Sequence, residues 1–127
     1  MWLNENDITF ISGLENCKAL KRLFITNNKL KKIAGLDSLV NLETLWLNEN
    51  EIESLEGLPI LPQLKEFSIA RNKIDMIGTG LDGLDNLEEI NMSGNRIGNF
   101  KELLNLNRLP KLIRATFFDP HYGDNPI

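Results

Sequence analysis

One eleven-residue pattern occurs four times along the chain. Leu20–Leu30 (LKRLFITNNKL) is followed by Leu42–Ile52 (LETLWLNENEI), Leu64–Ile74 (LKEFSIARNKI) and Leu87–Ile97 (LEEINMSGNRI). Each copy has the form L-x-x-L-x-L-x-x-N-x-L, with Ile, Phe or Met standing in at some apolar positions. The leading residues fall at 20, 42, 64, 87 and 112, in steps of 22, 22, 23 and 25. A coil this short cannot bury its own apolar side chains. Successive coils must stack and share one continuous core.

Two further copies are imperfect. Trp2–Ile8 (WLNENDI) aligns with Trp46–Ile52 (WLNENEI), so Met1 takes a Leu slot and Cys17 falls where Leu39 and Leu61 fall. Cys17 is therefore expected to fill core space rather than act as a reactive thiol. The last copy begins at Leu112 and carries Pro120 where the others carry Asn. The expected organisation is a single domain, 1–127. It divides into a partial repeat 1–19, repeats 20–41, 42–63, 64–86 and 87–111, and a degenerate terminal repeat 112–127.

Within each copy the x-L-x-L-x stretch alternates with period two, which predicts a short strand with its Leu or Ile side chains inward. The Asn then closes the turn. Its amide both donates and accepts, so it can satisfy backbone groups leaving the strand. Asn6, Asn28, Asn50, Asn72 and Asn95 are expected to form a buried structural ladder. The remainder of each coil places apolar residues three apart, as in Ile33, Leu36 and Leu39, or Leu55, Leu58 and Leu61. That spacing suits turns of 3₁₀ or short α helix on the outer side. The fold class expected is α/β: a right-handed solenoid, with short parallel strands on the concave face and helical turns on the convex face.

The repeat resembles the 22-residue leucine-rich-repeat class typified by the regulatory subunit of protein phosphatase one. Leu30–Leu42 also follows the continuation of that class, x-I-x-x-I-x-x-L-x-x-L-x-x-L. The resemblance implies an intracellular, non-catalytic module that binds another protein through its concave face. A phosphatase-regulator role is a minority implication, because the array is short and Arg22 and Arg114 add positive charge to that face. The tail 117–127 (FFDPHYGDNPI) is similar to a segment of the leucine-rich repeat-containing protein nine family, in which the chain continues. Together with an opening in mid-strand, this implies a piece of a longer array. The alternative role is then a structural stretch of a ciliary or cytoskeletal repeat protein.

Composition narrows the partners. A formal charge of −4 and a pI near 5.0 argue against a phosphate-binding surface, so nucleic acid is not an expected partner. No stretch of 18 apolar residues occurs, so no membrane span is expected. The N-terminus lacks the basic-then-apolar pattern of a secretory signal. One cysteine makes no internal disulfide, which favours a reducing compartment: the cytoplasm, or else the nucleus or a cilium.

Several motifs carry less than their letters suggest. Gly78–Gly83 (GTGLDG) is a literal G-x-G-x-x-G, but it lies on the outer return of a repeat. A dinucleotide site needs it between a strand and a long helix. Asn91–Ser93 is a glycosylation sequon on a strand exit. His121 is the one histidine, and with Asp119 and Asp124 it reads as part of a turn rather than a metal site. No nucleophile, base and cleft converge, so neither catalysis nor a cofactor is expected. Lys29 and Lys31 lie one repeat from Glu51 and Glu53 and are expected to be their lateral neighbours.

The outward strand positions form the candidate site. Trp2, Phe24, Trp46, Ser68, Asn91 and Thr116 occupy the middle row. Arg22, Thr44, Glu66, Glu89 and Arg114 precede it, and Asn4, Thr26, Asn48, Ala70, Ser93 and Phe118 follow it. Strands about 4.8 Å apart bring Trp2, Phe24 and Trp46 into one exposed aromatic stripe. Trp2, Phe24, Trp46, Glu66, Ser68, Glu89 and Asn91 are the expected protein-binding residues. Aromatics beside carboxylates suit a partner that presents Arg or Lys together with apolar surface. The unpaired outer edge of the opening strand is expected to promote self-association.

Overall fold

The computed structural model describes residues 1–127. Five three-residue strands lie in sequence order in one parallel sheet: β1 (Arg22–Phe24), β2 (Thr44–Trp46), β3 (Glu66–Ser68), β4 (Glu89–Asn91) and β5 (Arg114–Thr116). Their register is the repeat itself: Leu23 pairs with Leu45, Leu45 with Phe67, Phe67 with Ile90, and Ile90 with Ala115. Trp2 adds a single parallel bridge to Phe24. The chain is thus a solenoid of parallel strands.

The core is the set of inward repeat positions. Leu23, Leu45 and Phe67 are fully buried, as are Ile25, Leu47, Ile69 and Met92, and Leu30, Ile52, Ile74 and Ile97. Cys17 is half-buried and packs against this core, at the place its alignment with Leu39 assigns. The apolar residues three apart on the outer side build successive N–H(i)→O=C(i−3) turns. Leu39 donates to Leu36 and Leu42 to Leu39, both at 3.1 Å, and the same bonds recur in the neighbouring coils. Only the longest return extends them into a continuous 3₁₀ helix, Phe100–Arg108, capped by the Asn99 side chain.

The outer returns also need close approach between coils. Gly57 has φ +96, and a Cβ there would lie 1.8 Å from the Ile33 carbonyl oxygen of the preceding coil. No side chain fits at that point. The lateral pairs expected of Lys29 and Lys31 do not form. Lys29 turns to the preceding coil instead and meets Asp7 at 3.2 Å, an exposed pair that adds little stability.

The asparagine ladder joins each coil to the one before it. Asn50 Oδ1 accepts from the Leu30 N–H at 3.1 Å. Its Nδ2 donates to the Ile25 carbonyl at 2.9 Å and to Leu47 at 3.0 Å. Asn28, Asn72 and Asn95 repeat the arrangement, all at most 8% exposed with Asn50. Asn6 is a correction to the expected ladder. It is exposed, and its Nδ2 donates only to the nearby Asn4 carbonyl. A rung stitches its coil to a preceding coil, and within residues 1–127 no coil packs against that side of Asn6. The ladder gains Asn125 at its other end: Ile97 N–H donates to its Oδ1 at 3.0 Å, and its Nδ2 donates to Met92 and Phe117, both at 2.9 Å.

Asn50→Ala removes four hydrogen bonds and leaves buried backbone groups unpaired. It is expected to lower unfolding free energy by about 1–3 kcal/mol in urea titration. Asn6→Ala in the same titration is expected to match the parent. Equal effects of the two changes would remove the ladder's structural role.

Candidate functional site

The sheet register sets the outward rows. Phe24, Trp46, Ser68, Asn91 and Thr116 stand opposite one another in turn, as do Arg22, Thr44, Glu66, Glu89 and Arg114. At strand spacing, the aromatic side chains must touch. Trp2 stacks on Phe24, with ring centroids 4.1 Å apart and planes at 18°. Phe24 meets Trp46 edge-on at 5.1 Å and 88°. The stripe is therefore not uniformly exposed, contrary to expectation. Trp2 is 67% exposed, but Phe24 is only 7% exposed because an indole covers it on each side. Trp46 is half-buried, and its indole N–H is buried with no acceptor in the chain.

Beyond Trp46 the middle row drops to Ser68 and then Asn91. The step in side-chain size opens a recess of about 200 Å³. Its lining includes five of the expected residues: Trp46, Glu66, Ser68, Glu89 and Asn91. Trp2 and Phe24 lie outside it and buttress the Trp46 wall. Ser68 is 7% exposed, with its hydroxyl turned to Asn48 Oδ1 at 2.7 Å, so it contributes depth rather than a free donor.

The row after the middle one is a second correction. Asn48, Ala70 and Ser93 were expected on the open surface, yet they are 2%, 0% and 0% exposed. Asn48 Oδ1 bridges to the next coil by accepting from the Ala70 N–H at 2.8 Å. The chain's own tail crosses the same region. With Pro120 in the Asn slot, the backbone makes a tight antiparallel turn in which Asp119 and Gly123 exchange both backbone hydrogen bonds, at 3.0 and 2.7 Å. Asp119 Oδ1 accepts from the His121 and Tyr122 N–H groups. The ladder position is then filled by Asn125, five residues later than the repeat predicts.

This detour brings Tyr122 to the recess. Its hydroxyl accepts from Asn48 Nδ2 at 3.3 Å, across two intervening coils, and its ring joins the lining. Burial pushes its hydroxyl above the usual tyrosine range, with the nearby Glu49 and Asp119 charges adding to the effect. Sequence reading missed Tyr122. The signal lay at Gly94. The equivalent residues Glu5, Asn27, Glu49 and Arg71 all adopt φ near +55 despite their side chains. Only Gly94 lacks one, and a Cβ there would stand 2.2 Å from the Tyr122 carbonyl oxygen.

The charges of the recess are uneven. Glu66 and Glu89 stand directly opposite on adjacent strands, an unfavourable arrangement of like charges. Arg114 Nη1 reaches Glu89 at 3.7 Å from a largely exposed position, whereas Glu66 takes part in no ion pair.

The glycine-rich GTGLDG segment has its own internal anion. Ile77 and Gly78 N–H groups donate to Glu102 Oε1 at 2.7 and 2.9 Å. The Gly78 and then the Ile77 bond hold the Glu102 carboxyl below the usual carboxylate range. Arg108 ties the same loop through the Gly78 carbonyl and Asp82. These contacts also explain the coil's extra residue: it is a loop clamped by the next coil. His121 packs its ring edge-on against Tyr122 at 4.6 Å. No group of three His, Cys, Asp or Glu side chains is placed to hold a metal ion, and no helix is long and apolar enough to cross a membrane.

Comparison with known proteins matches a family model described as leucine-rich repeats (2 copies) over residues 1–38, 20–60 and 40–83. A second model, leucine-rich repeat, matches 86–114. Among solved structures, the chain is 29% identical to a chain of the Drosophila melanogaster SNF/U2A′ complex, with a TM-score of 0.74, covering 84% of this chain and 59% of that one. It is 31% identical to an internalin of Listeria monocytogenes, with a TM-score of 0.61 and coverage of 72% and 27%. Internalin C2 of the same organism is 28% identical, with a TM-score of 0.66 and coverage of 85% and 47%. The chain thus spans less than two thirds of each of these solved chains.

Gly94→Ala is expected to push the tail off the sheet. Tyr122 is the only tyrosine, so its ultraviolet titration reports the contact directly. In the parent it should ionise above the ordinary range, and in Gly94→Ala it should return toward that range. Identical titrations would mean that the tail does not depend on this approach.

Proposed function

The chain belongs to the leucine-rich-repeat family, and from that footing we propose that it is a non-catalytic scaffold that binds a protein partner through its strand face. The observation that carries this reading is the recess beside Trp46. An aromatic wall, two carboxylates and a small-residue floor meet on the strand face. Trp2 and Phe24 stiffen the wall, so Trp46 meets a partner with little side-chain entropy left to lose. The solved relatives include a chain of the SNF/U2A′ complex, which fits a role in protein assembly. The aromatic-and-acidic character of the face agrees with a phosphatase-regulator-type module, a narrower reading on which Trp46, Glu66 and Glu89 would make the contacts and Phe24, covered by the two indoles, would support Trp46.

A second reading concerns the N-terminal end of the solenoid. Phe10 is 70% exposed and lines an apolar recess of about 220 Å³ with Leu3, Ile8, Ile11, Leu14 and Ile25. That surface suits end-on association with another repeat unit, whether a second copy of this chain or a neighbouring coil of a longer structural array. Sedimentation velocity should show concentration-dependent association that Phe10→Ser weakens. A monomer at all concentrations would remove self-association from this reading.

The main proposal separates face from core. Trp46→Ala is expected to weaken capture of the partner by about 2 kcal/mol or more, and, because it also uncovers Phe24, to lower melting by less than a core truncation does. Leu47→Ala, one residue on and fully buried, is expected to cost about 2–5 kcal/mol of stability. Affinity and melting measured on both variants check the assignment. Normal partner capture by Trp46→Ala would exclude the recess as the binding site.

A further inference from the structure

The recess beside Trp46 is lined by two aromatic side chains and two carboxylates. We infer that it takes a single arginine side chain from the partner, held between Trp46 and Tyr122 and paired with Glu66. This rests on the strand-face reading and gives its chemistry.

Size comes first. A recess of about 200 Å³ is of the size of one long side chain. Charge comes second. Two carboxylates face one another across β3 and β4. Arg22 and Lys65 lie in the adjoining depression without pairing with either, and only Arg114 forms an ion pair, with Glu89 at 3.7 Å, while 69% of its own side chain stays exposed. Glu66 is left without a cation, so an incoming positive charge relieves a repulsion as well as forming a new pair.

The walls choose between the two basic side chains. The aromatic side chains of Trp46 and Tyr122 both line the recess, and Asn48 donates to the Tyr122 hydroxyl. A guanidinium is planar and weakly hydrated. It stacks on such surfaces while its edge donates to a carboxylate. An ammonium is a compact, strongly hydrated charge and loses more on entering. Free arginine is disfavoured, because its own carboxylate would approach Glu66 and Glu89. The ligand is therefore an arginine within a peptide chain that lacks acidic neighbours.

The test uses the whole ¹⁵N-labelled chain and three neutral-backbone probes: the N-acetyl N-methylamides of arginine, lysine and citrulline. The Trp46 indole N–H resonance is followed, distinguished from the Trp2 resonance by a Trp2→Phe variant. The arginine probe should shift it saturably, the lysine probe should bind about tenfold more weakly or less, and neutral citrulline should have no effect. Glu66→Gln should lose about tenfold or more in arginine affinity with melting equal to or slightly above the parent's, since it also relieves the repulsion with Glu89. Arg114→Ala should bind arginine more tightly by freeing Glu89. Equal shifts from lysine and arginine, no saturable shift, or an unaffected Glu66→Gln variant would each overturn the inference. Should the probes fail while Trp46→Ala still abolishes partner capture, the arginine assignment falls and the strand-face reading stands. Should arginine bind while Trp46→Ala captures the partner normally, the reverse holds.

Discussion

Everything on the strand face depends on one side-chain amide repeated at a fixed place in each coil. The strands are three residues long, too short to hold a sheet together by their own ladder. The asparagine after each strand supplies what the ladder lacks. It accepts an N–H from the preceding coil and donates to carbonyls in both coils, so neighbouring coils are locked at one spacing. The backbone just before it turns through a left-handed residue, at Glu49 and Arg71 as well as at Gly94. That conformation costs a residue with a Cβ about 1–2 kcal/mol. The rung that follows offsets it by satisfying buried groups that would otherwise have no partner.

The tail uses the same interaction to a different end. Asn125 bonds to the coil of Met92 and Ile97 as Asn95 bonds to the coil before its own. Because Pro120 occupies the normal slot, five extra residues must be accommodated before the rung can form. They fold into a tight turn over Gly94 and deliver the Tyr122 ring to the sheet. A stability element thereby places a wall of the recess. The final coil is otherwise weakly covered, since Ala115 is exposed and Phe117 only half-buried. The hydrogen-bonded tail, more than apolar packing, holds that end.

Much of this was readable from sequence, and the remainder was not for definable reasons. The register followed from the spacing of Leu23, Leu45, Phe67 and Ile90, because a period-two stretch that repeats every coil admits one stacking. The recess beside Trp46 lies where the middle row falls from Trp46 to Ser68, a step in side-chain size that the row itself contains. Asn6 was misjudged because a rung needs two coils, and pattern matching sees only one. Phe24 was misjudged because aromatic neighbours at strand spacing bury one another, a cooperative effect that no single position reveals. Tyr122 was invisible for a third reason. The repeat model treats the tail as a failed copy, whereas the tail satisfies the same backbone groups by a longer path, and that path sets which side chain returns to the face.

The division of energies between core and face explains why this architecture suits recognition. Replacing a core leucine by alanine costs several kcal/mol, and an asparagine rung about 1–3. Two carboxylates facing one another across β3 and β4 cost roughly 0.2–1 kcal/mol. The solenoid tolerates that smaller penalty easily, so the outward rows are free to carry arrangements that are poor for folding and useful for binding. Glu66 opposite Glu89, in a recess that Trp46 and Tyr122 also line, is the arrangement that the proposed reading uses in this way. It leaves a repulsion in the free chain that a ligand of opposite charge removes. On the proposed reading, the face would gain specificity from what the fold leaves unpaired, with the ladder beneath it supplying the rigidity that keeps those groups in position.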